Sequence, residues 1–254
     1  MLQIDLSGKN ALITGATGEL GRVMARTLAQ CGANVVIHYL KNREKARSLE
    51  RELVALGRKA LIVQADVTQG DSVHALQKNV QKNFGAIDIM IINAVIQYPW
   101  KPILEQSPED YNSQHQSCVM QSVFLAKAFV PMMIQKRWGR IIGINTECSM
   151  QYQQLQSAYV SGKRGMDGVL RVLAREVGEH QITVNQVAPG WTISEKDRAS
   201  GSERQLGYEK SVPLKRRGKD QEVANVVAFL ASDLASFISG GYIPVCGGNV
   251  MPAI

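Results

Sequence analysis

The chain has 254 residues, 45% of them hydrophobic and 20% charged, with 29 Lys and Arg against 22 Asp and Glu. That balance suits a globular chain with a large core and excludes a disordered or fibrous one. No uninterrupted apolar run approaches the roughly 18 residues of a membrane span. The start, MLQIDLSGKNALITG, has no basic leader, and Cys31, Cys118, Cys148 and Cys246 form no CxxC pair, so a cytoplasmic, reducing location is expected and no metal site.

In chain order, NALIT (10–14) reads as a strand, and ELGRVMARTLAQCG as a helix stopped by Gly32. NVVIHY (34–39) is the second strand, followed by a charged helix ending at Gly57. KALIVQAD (59–66) is the third, with a helix from about Gly70 to Phe84, and IDIMIIN (87–93) the fourth. Ser107-Pro108-Glu109-Asp110 is a helix start, with a cap, a proline in the first turn and acids at the positive end. That helix is expected to run to Gln135. GRIIGIN (139–145) is a fifth strand, Ser157 to about Gly178 a helix, and QITVNQVAP (181–189) a sixth strand. A polar stretch from Gly190 to about Leu214 lacks strong periodicity; the helix DQEVANVVAFLAS and a strand, GGYIPVC, follow. Seven strands alternating with helices imply one α/β domain over residues 1–254, a doubly wound parallel sheet covered on both faces. Ligands of such sheets bind beyond the carboxyl ends of the strands.

The basic surplus gathers in KNREKAR (41–47), KRWGR (136–140) and LKRRGK (214–219). These runs read either as solvated helix ends or as an attraction for anions, such as a phosphorylated cofactor or an acidic carrier protein. No nucleic-acid motif accompanies them.

After the first strand comes TGATGELG (14–21). Glycines at a strand–turn–helix junction let the backbone approach a pyrophosphate seated on the helix N-terminus. Further on, YVSGK places Tyr159 and Lys163 four residues apart, on one face of a helix. An ammonium beside a phenol suits the phenol to proton transfer near neutral pH.

TGATGELG, Asp66-Val67, INA (92–94), YVSGK, VNQVAPGWT (184–192) and VCGG (245–248) occur in one order over nearly the whole chain. In that order they resemble the short-chain dehydrogenase/reductase family, above all its compact 3-oxoacyl-carrier-protein reductases and related sugar or polyol dehydrogenases. The resemblance implies a Rossmann-type domain, a nicotinamide cofactor and hydride transfer to or from a carbonyl carbon. It places the pyrophosphate along Gly15, Thr17, Gly18, Glu19, Leu20 and Gly21, and the adenine at Asp66 and Val67. Asn93 and Ala94 then fall near the nicotinamide-side ribose, and Pro189, Gly190 and Thr192 at the carboxamide. At the end of the second strand stand His38 and Tyr39, then Lys41 and Arg43, with no acid until Glu44. An NAD reader needs a carboxylate there, so Tyr39 and Lys41 favour NADP(H) over NAD(H).

The family also uses a serine to polarise the substrate carbonyl. Thr146, thirteen positions before Tyr159, occupies its place and keeps the hydroxyl; Ser149 is the alternative. By resemblance, Tyr159 donates or removes the proton, Lys163 lowers the Tyr159 pKa and holds the nicotinamide ribose, and Thr146 orients the carbonyl oxygen. Three positions depart from the pattern: Glu19 and Val95 stand where glycines are usual, and Val119 where an asparagine holds a relay water. They bring in a rival reading, a member that binds a nucleotide with little turnover and serves as a sensor or assembly partner.

Expected partners are a small carbonyl or alcohol substrate, or an acyl group on a carrier protein met by Lys136, Arg137 and Arg140. No nucleic acid or membrane is expected, and the resemblance implies a homotetramer. Candidate substrate walls are Gln97 to Trp100, Glu147 to Gln156 and a lid around residues 190–214. Gln97, Gln151, Gln153, Gln154 and Gln156 in the first two point to a polar ligand such as a sugar or polyol.

Overall fold

In the computed structural model, which describes residues 3–252, the apolar runs become seven short strands. They are β1 (Asn10–Ile13), β2 (Asn34–Tyr39), β3 (Ala60–Gln64), β4 (Ile89–Ile92), β5 (Gly139–Ile144), β6 (Ile182–Pro189) and β7 (Tyr242–Val245). All pair in parallel, in the order β3-β2-β1-β4-β5-β6-β7. Leu12 of β1 is in register with Val36 on one side and Met90 on the other. The chain therefore winds outward in opposite directions from β1 and β4, which opens a crevice at their carboxyl ends.

Apolar side chains leave both faces of the sheet, as a fully covered parallel sheet requires. On one face Ala11, Ile13, Val35 and Ile37 meet α1 (Glu19–Gln30), α2 (Arg43–Ala55) and α10 (Asp220–Ala231) through Met24, Leu28, Leu49, Leu53 and Val227. On the other, Leu12, Val36 and Met90 meet α3 (Gly70–Asn83), α5 (Gln121–Lys136) and α7 (Ser157–Val177) through Leu76, Leu125, Met133 and Leu170. Each buried Val, Leu, Ile or Met among them contributes roughly 1.5–3 kcal/mol.

The helix expected from Ser107 to Gln135 starts as read, with the Ser107 side chain accepting from the Asp110 amide and Pro108 in the first turn. It is not one α-helix, however. After α4 (Pro108–Gln114) the chain widens into a π-turn, His115–Met120, before α5. The extra residue per turn swells the helix toward α7. There α7 presents glycines: a Cβ at Gly162 would lie 2.9 Å from the Gln114 carbonyl oxygen, and one at Gly165 2.6 Å from Val119 Cγ2. By length and composition Pro108–Lys136 passes for a membrane span (mean hydropathy 1.5). Here it is a core helix, with Leu125, Phe129 and Met133 buried against the sheet.

The stretch 190–214 holds two short helices, α8 (Glu195–Ser200) and α9 (Leu206–Ser211), and between β5 and α7 lies a single turn, α6 (Cys148–Gln151). A capping box between Ser194 and Asp197 starts α8, a local signal too short to show as periodicity.

Candidate active site

Two clefts open at the carboxyl ends of the strands and share Ile96 and Gln97 as a common wall. The first, about 670 Å³, lies over β1, β2 and β3. Gly15, Thr17, Gly18, Glu19, Leu20 and Gly21 line it, as do Lys41, Asp66, Val67, Asn93 and Ala94, eleven of the residues expected to bind cofactor. Tyr39 does not: it is 5% exposed and packed in the core, and its neighbours His38 and Leu40 face the cleft instead.

Gly15 sits at φ +63°, a left-handed conformation that favours glycine, 3.1 Å (by an added Cβ) from Ala94 Cα. A Cβ on Gly21 would lie 2.3 Å from the Gly15 carbonyl oxygen, so Gly21 lets α1 start beneath the loop. The N-cap of α1 is Gly18, which has no side chain to accept from the first-turn amides. Uncapped amides facing a cleft form an anion site, and this cradle fits a dinucleotide diphosphate.

The residue that sequence reasoning missed here is His38. Its Nδ1 accepts from the Gly15 amide at 3.0 Å, and its Nε2 stands 3.0 Å from the Ala65 carbonyl. An acceptor on one nitrogen fixes the tautomer with hydrogen on the other. Burial holds the ring's pKa below its ordinary value, and the Ala65 bond opposes this only in part. A polar residue at the end of a buried strand, next to a glycine loop, was the available signal. Asn93 plays a similar part, its side-chain amide donating to the Thr14 carbonyl at 2.9 Å. Asp66 caps the turn after β3, accepting from both the amide and hydroxyl of Thr68.

Glu19 lines the cleft but is not an isolated charge there. It pairs with Arg22 at 3.1 Å and accepts from the Lys196 amide of α8 at 3.3 Å. Glu195 of α8 in turn meets Arg22 at 2.9 Å and also Arg26. These ion pairs tie the 190–214 segment to α1.

The second cleft, about 750 Å³, is lined by Thr146, Glu147, Tyr159 and Gly190, with Tyr98, Trp100, Trp191 and Tyr208 as aromatic walls. Thr146 and Tyr159 thus face one space. Ser149 does not line it: the residue is fully buried, its hydroxyl 2.6 Å from the Tyr242 hydroxyl and 3.2 Å from Asn145 Oδ1. Lys163 is 3% exposed; its ammonium donates to the Ile144 carbonyl at 2.6 Å and stands 5.9 Å from the centre of the Tyr159 ring. Burial pushes the Tyr159 phenol well above its ordinary range, with the Thr146 hydroxyl opposing weakly, and burial pushes the Lys163 ammonium down. Desolvation thus sets the direction of both shifts, and one N–H of the ammonium is engaged with the Ile144 carbonyl.

Trp100 stacks on Tyr159, with centroids 6.1 Å apart and planes at 26°, and the Tyr98 hydroxyl accepts from the Tyr159 amide at 2.7 Å. Gln97, Gln151, Gln153 and Gln156 line this cleft, while Gln154 lies in a neighbouring groove. Pro189 is buried at the end of β6, and the Thr192 carbonyl accepts from Arg217 at 2.8 Å at the root of the lid segment. Val95 borders the first cleft, and Val119, within the π-turn, packs against Gly165 of α7. The basic run at Lys136 is committed to the fold. Lys136 meets Asp88 at 2.7 Å, Arg137 donates to the Glu179 carbonyl, and Arg140 is buried against Asp233 at 2.8 Å.

Comparison with known proteins agrees with this architecture. A family model described as enoyl-(acyl carrier protein) reductase matches residues 15–249. The chain is 35% identical to the 3-oxoacyl-[acyl-carrier-protein] reductase of Staphylococcus epidermidis, covering 96% of this chain and 99% of that protein. It is also 35% identical to the corresponding reductase of Escherichia coli, covering 98% and 100%. Among solved structures, a gluconate 5-dehydrogenase from Burkholderia cenocepacia in complex with NADP and tartrate superposes with a TM-score of 0.89 at 29% identity, covering 97% of each chain. With the glycine cradle, the Tyr159–Lys163 helix and the seven-stranded parallel sheet in place, the chain belongs to the short-chain dehydrogenase/reductase family.

Proposed function

We propose that this oxidoreductase prefers NADP(H) and moves a hydride between the nicotinamide and a ketone or secondary alcohol, with Tyr159 as the proton-transfer residue. The observation that carries the reading is that Thr146 and Tyr159 face a cleft whose wall, Ile96 and Gln97, is also the wall of the glycine cleft. When bound, the nicotinamide supplies or accepts the hydride. The chain's own residues do the rest. The uncapped first turn of α1 holds the diphosphate. Thr146 donates a hydrogen bond to the carbonyl oxygen, and Tyr159 gives that oxygen its proton as negative charge develops. Burial raises the phenol's pKa, so Tyr159 enters carbonyl reduction carrying the proton that it gives. Lys163, with further N–H donors beyond the one on Ile144, holds the ribose.

Preference for the phosphorylated cofactor is supported by Lys41 at the β2 end of the cleft, by the lack of a carboxylate at Tyr39, Leu40 or Lys41, and by NADP in the gluconate 5-dehydrogenase complex. A homo-oligomer is supported by an apolar groove on α5 and α7 that includes Val123, Val130, Val169 and Val172. The carrier-protein reductases among its relatives support a carbonyl substrate.

The test is tryptophan-to-nicotinamide energy transfer on titration with NADPH and then NADH, followed by turnover of Tyr159→Phe. Tighter NADPH binding, and a variant that binds normally but is inactive, fit the proposal. Normal turnover by Tyr159→Phe sinks the assigned role, and binding without turnover of any carbonyl favours the sensor reading.

A further inference from the structure

We infer that Glu147 and Gln156 read hydroxyl groups on the substrate, so that the carbonyl compound taken by this cleft is polyhydroxylated rather than an acyl chain. The inference rests on the oxidoreductase reading and narrows it.

Glu147 follows Thr146 directly, lines the cleft and is only 4% exposed. Its Oε1 accepts from the Tyr208 hydroxyl at 2.9 Å, and its Oε2 from Asn249 Nδ2 at 3.1 Å. The carboxylate is thus fixed from α9 and from the C-terminal segment, while each oxygen keeps a lone pair. Gly190 makes room for this group: a Cβ there would lie 2.4 Å from the Tyr208 hydroxyl oxygen and 2.9 Å from Glu147 Oε2. Gln156 stands at the other side of Tyr159's helix start, lines the same cleft and is 9% exposed. Its Oε1 is buried and has no hydrogen-bond partner among the described residues.

Buried polar atoms are ordinarily paired, so the free Gln156 oxygen marks a place where a donor belongs. Two acceptors lining the cleft that holds Thr146 and Tyr159 call for two donors on one molecule, which is what a ketose or sugar alcohol presents. An ammonium would answer Glu147 and leave Gln156 unmet. An acyl chain would desolvate both acceptors and satisfy neither. A site built to bond a hydroxyl rejects the analogue that lacks it by up to about 10⁴-fold.

The test compares kcat/KM of the NADPH-supplied enzyme for ketoses, and with NADP for sugar alcohols, against an acetoacetyl thioester of N-acetylcysteamine. The expected preference is about 100-fold for the polyhydroxylated compound. Glu147→Val and Gln156→Leu should each cut it by about 30-fold, mostly through KM for the polyhydroxylated compound, with NADPH affinity within a few-fold of wild type. Glu147→Gln, which keeps an acceptor, should stay within about 10-fold of wild type. A wild-type preference for the thioester, or an unchanged ratio in both Glu147→Val and Gln156→Leu, overturns the inference. So does a Glu147→Gln loss as deep as that of Glu147→Val, since charge rather than acceptor would then be read. Failure to turn over any carbonyl is failure of the oxidoreductase reading. A fluorescence titration with a sugar alcohol, following Trp100 and Trp191, then decides the inference by itself: saturation in wild type and not in Glu147→Val supports it, and no saturation overturns it.

Discussion

Arg217 Nη2 lies 3.0 Å from Asp197 Oδ2, and the arginine side chain is 1% exposed. Its other hydrogen bonds go to the carbonyl oxygens of Trp191, Thr192, Ser202 and Glu203. One guanidinium thus holds both ends of α8 and the root of the lid. Arg217→Met should lower unfolding free energy by about 3 kcal/mol, since carbonyls and a carboxylate lose a charged donor. Arg217→Lys should recover less than half, because one ammonium cannot match a planar fork. Urea denaturation measures both; equal stability of all three proteins would remove Arg217 as the organiser of this segment.

His38 should make stability pH-dependent below neutrality. Its folded pKa lies below the ordinary 6.5, so above that value both states are neutral and nothing is lost. As pH falls below it, the unfolded chain takes up a proton that the folded ring resists, and stability declines toward the folded pKa. Thermal melts of wild type and His38→Gln between about pH 8 and 5 should converge as the pH drops. Parallel curves would show that the ring does not stay neutral. The same variant should weaken NADPH binding about ten-fold, because the Gly15 amide loses its acceptor.

Gly21→Ala places a methyl 2.3 Å from the Gly15 carbonyl oxygen, which is backbone and cannot step aside alone. Overpacking of this kind costs about 1–3 kcal/mol. The glycine loop should shift, and NADPH affinity should fall more than in Gly168→Ala, where an added Cβ meets nothing within 4 Å. Equal affinity of the two variants would refute the close approach.

The bond between Glu195 and the α1 arginines should be felt as salt sensitivity. Hydrogen bonding to Arg26, reinforced by the charge of Arg22, holds the Glu195 pKa below its ordinary 4.5. Its contribution is therefore present above that value and lost as pH falls through the lowered pKa. Glu195→Gln should raise KM several-fold at low ionic strength, and the gap from wild type should close toward 1 M salt. A gap independent of salt would argue for a steric effect.

The seven strands and the glycine turn were legible because they rest on local patterns: short Val- and Ile-rich runs, and glycines after the first of them. Tyr159 and Lys163 were legible because helical spacing alone puts them on one face. Other parts depend on distant partners. Arg217 sits in a run of basic residues that looks solvated, and only the fold brings five oxygen atoms around it. Likewise, nothing near Glu147 in the chain announces Tyr208, which is 61 residues away. The π-turn is not legible locally; the helix face it packs against, at Gly162 and Gly165, is more than 40 residues further along the chain. Tyr39 misled for a related reason. A strand's last residue alternates between faces, and here His38 took the side that meets the loop.

Ile96 and Gln97 border both clefts. A compound over Tyr159 that displaces that wall would change the shape available to a dinucleotide on its far side. Linkage then requires the converse by the same factor. Whatever ratio the two nicotinamide forms show in their hold on substrate must reappear as the ratio by which substrate alters the hold on each of them. Ile96 and Gln97 are the place where occupancy of one cleft can bear on the other.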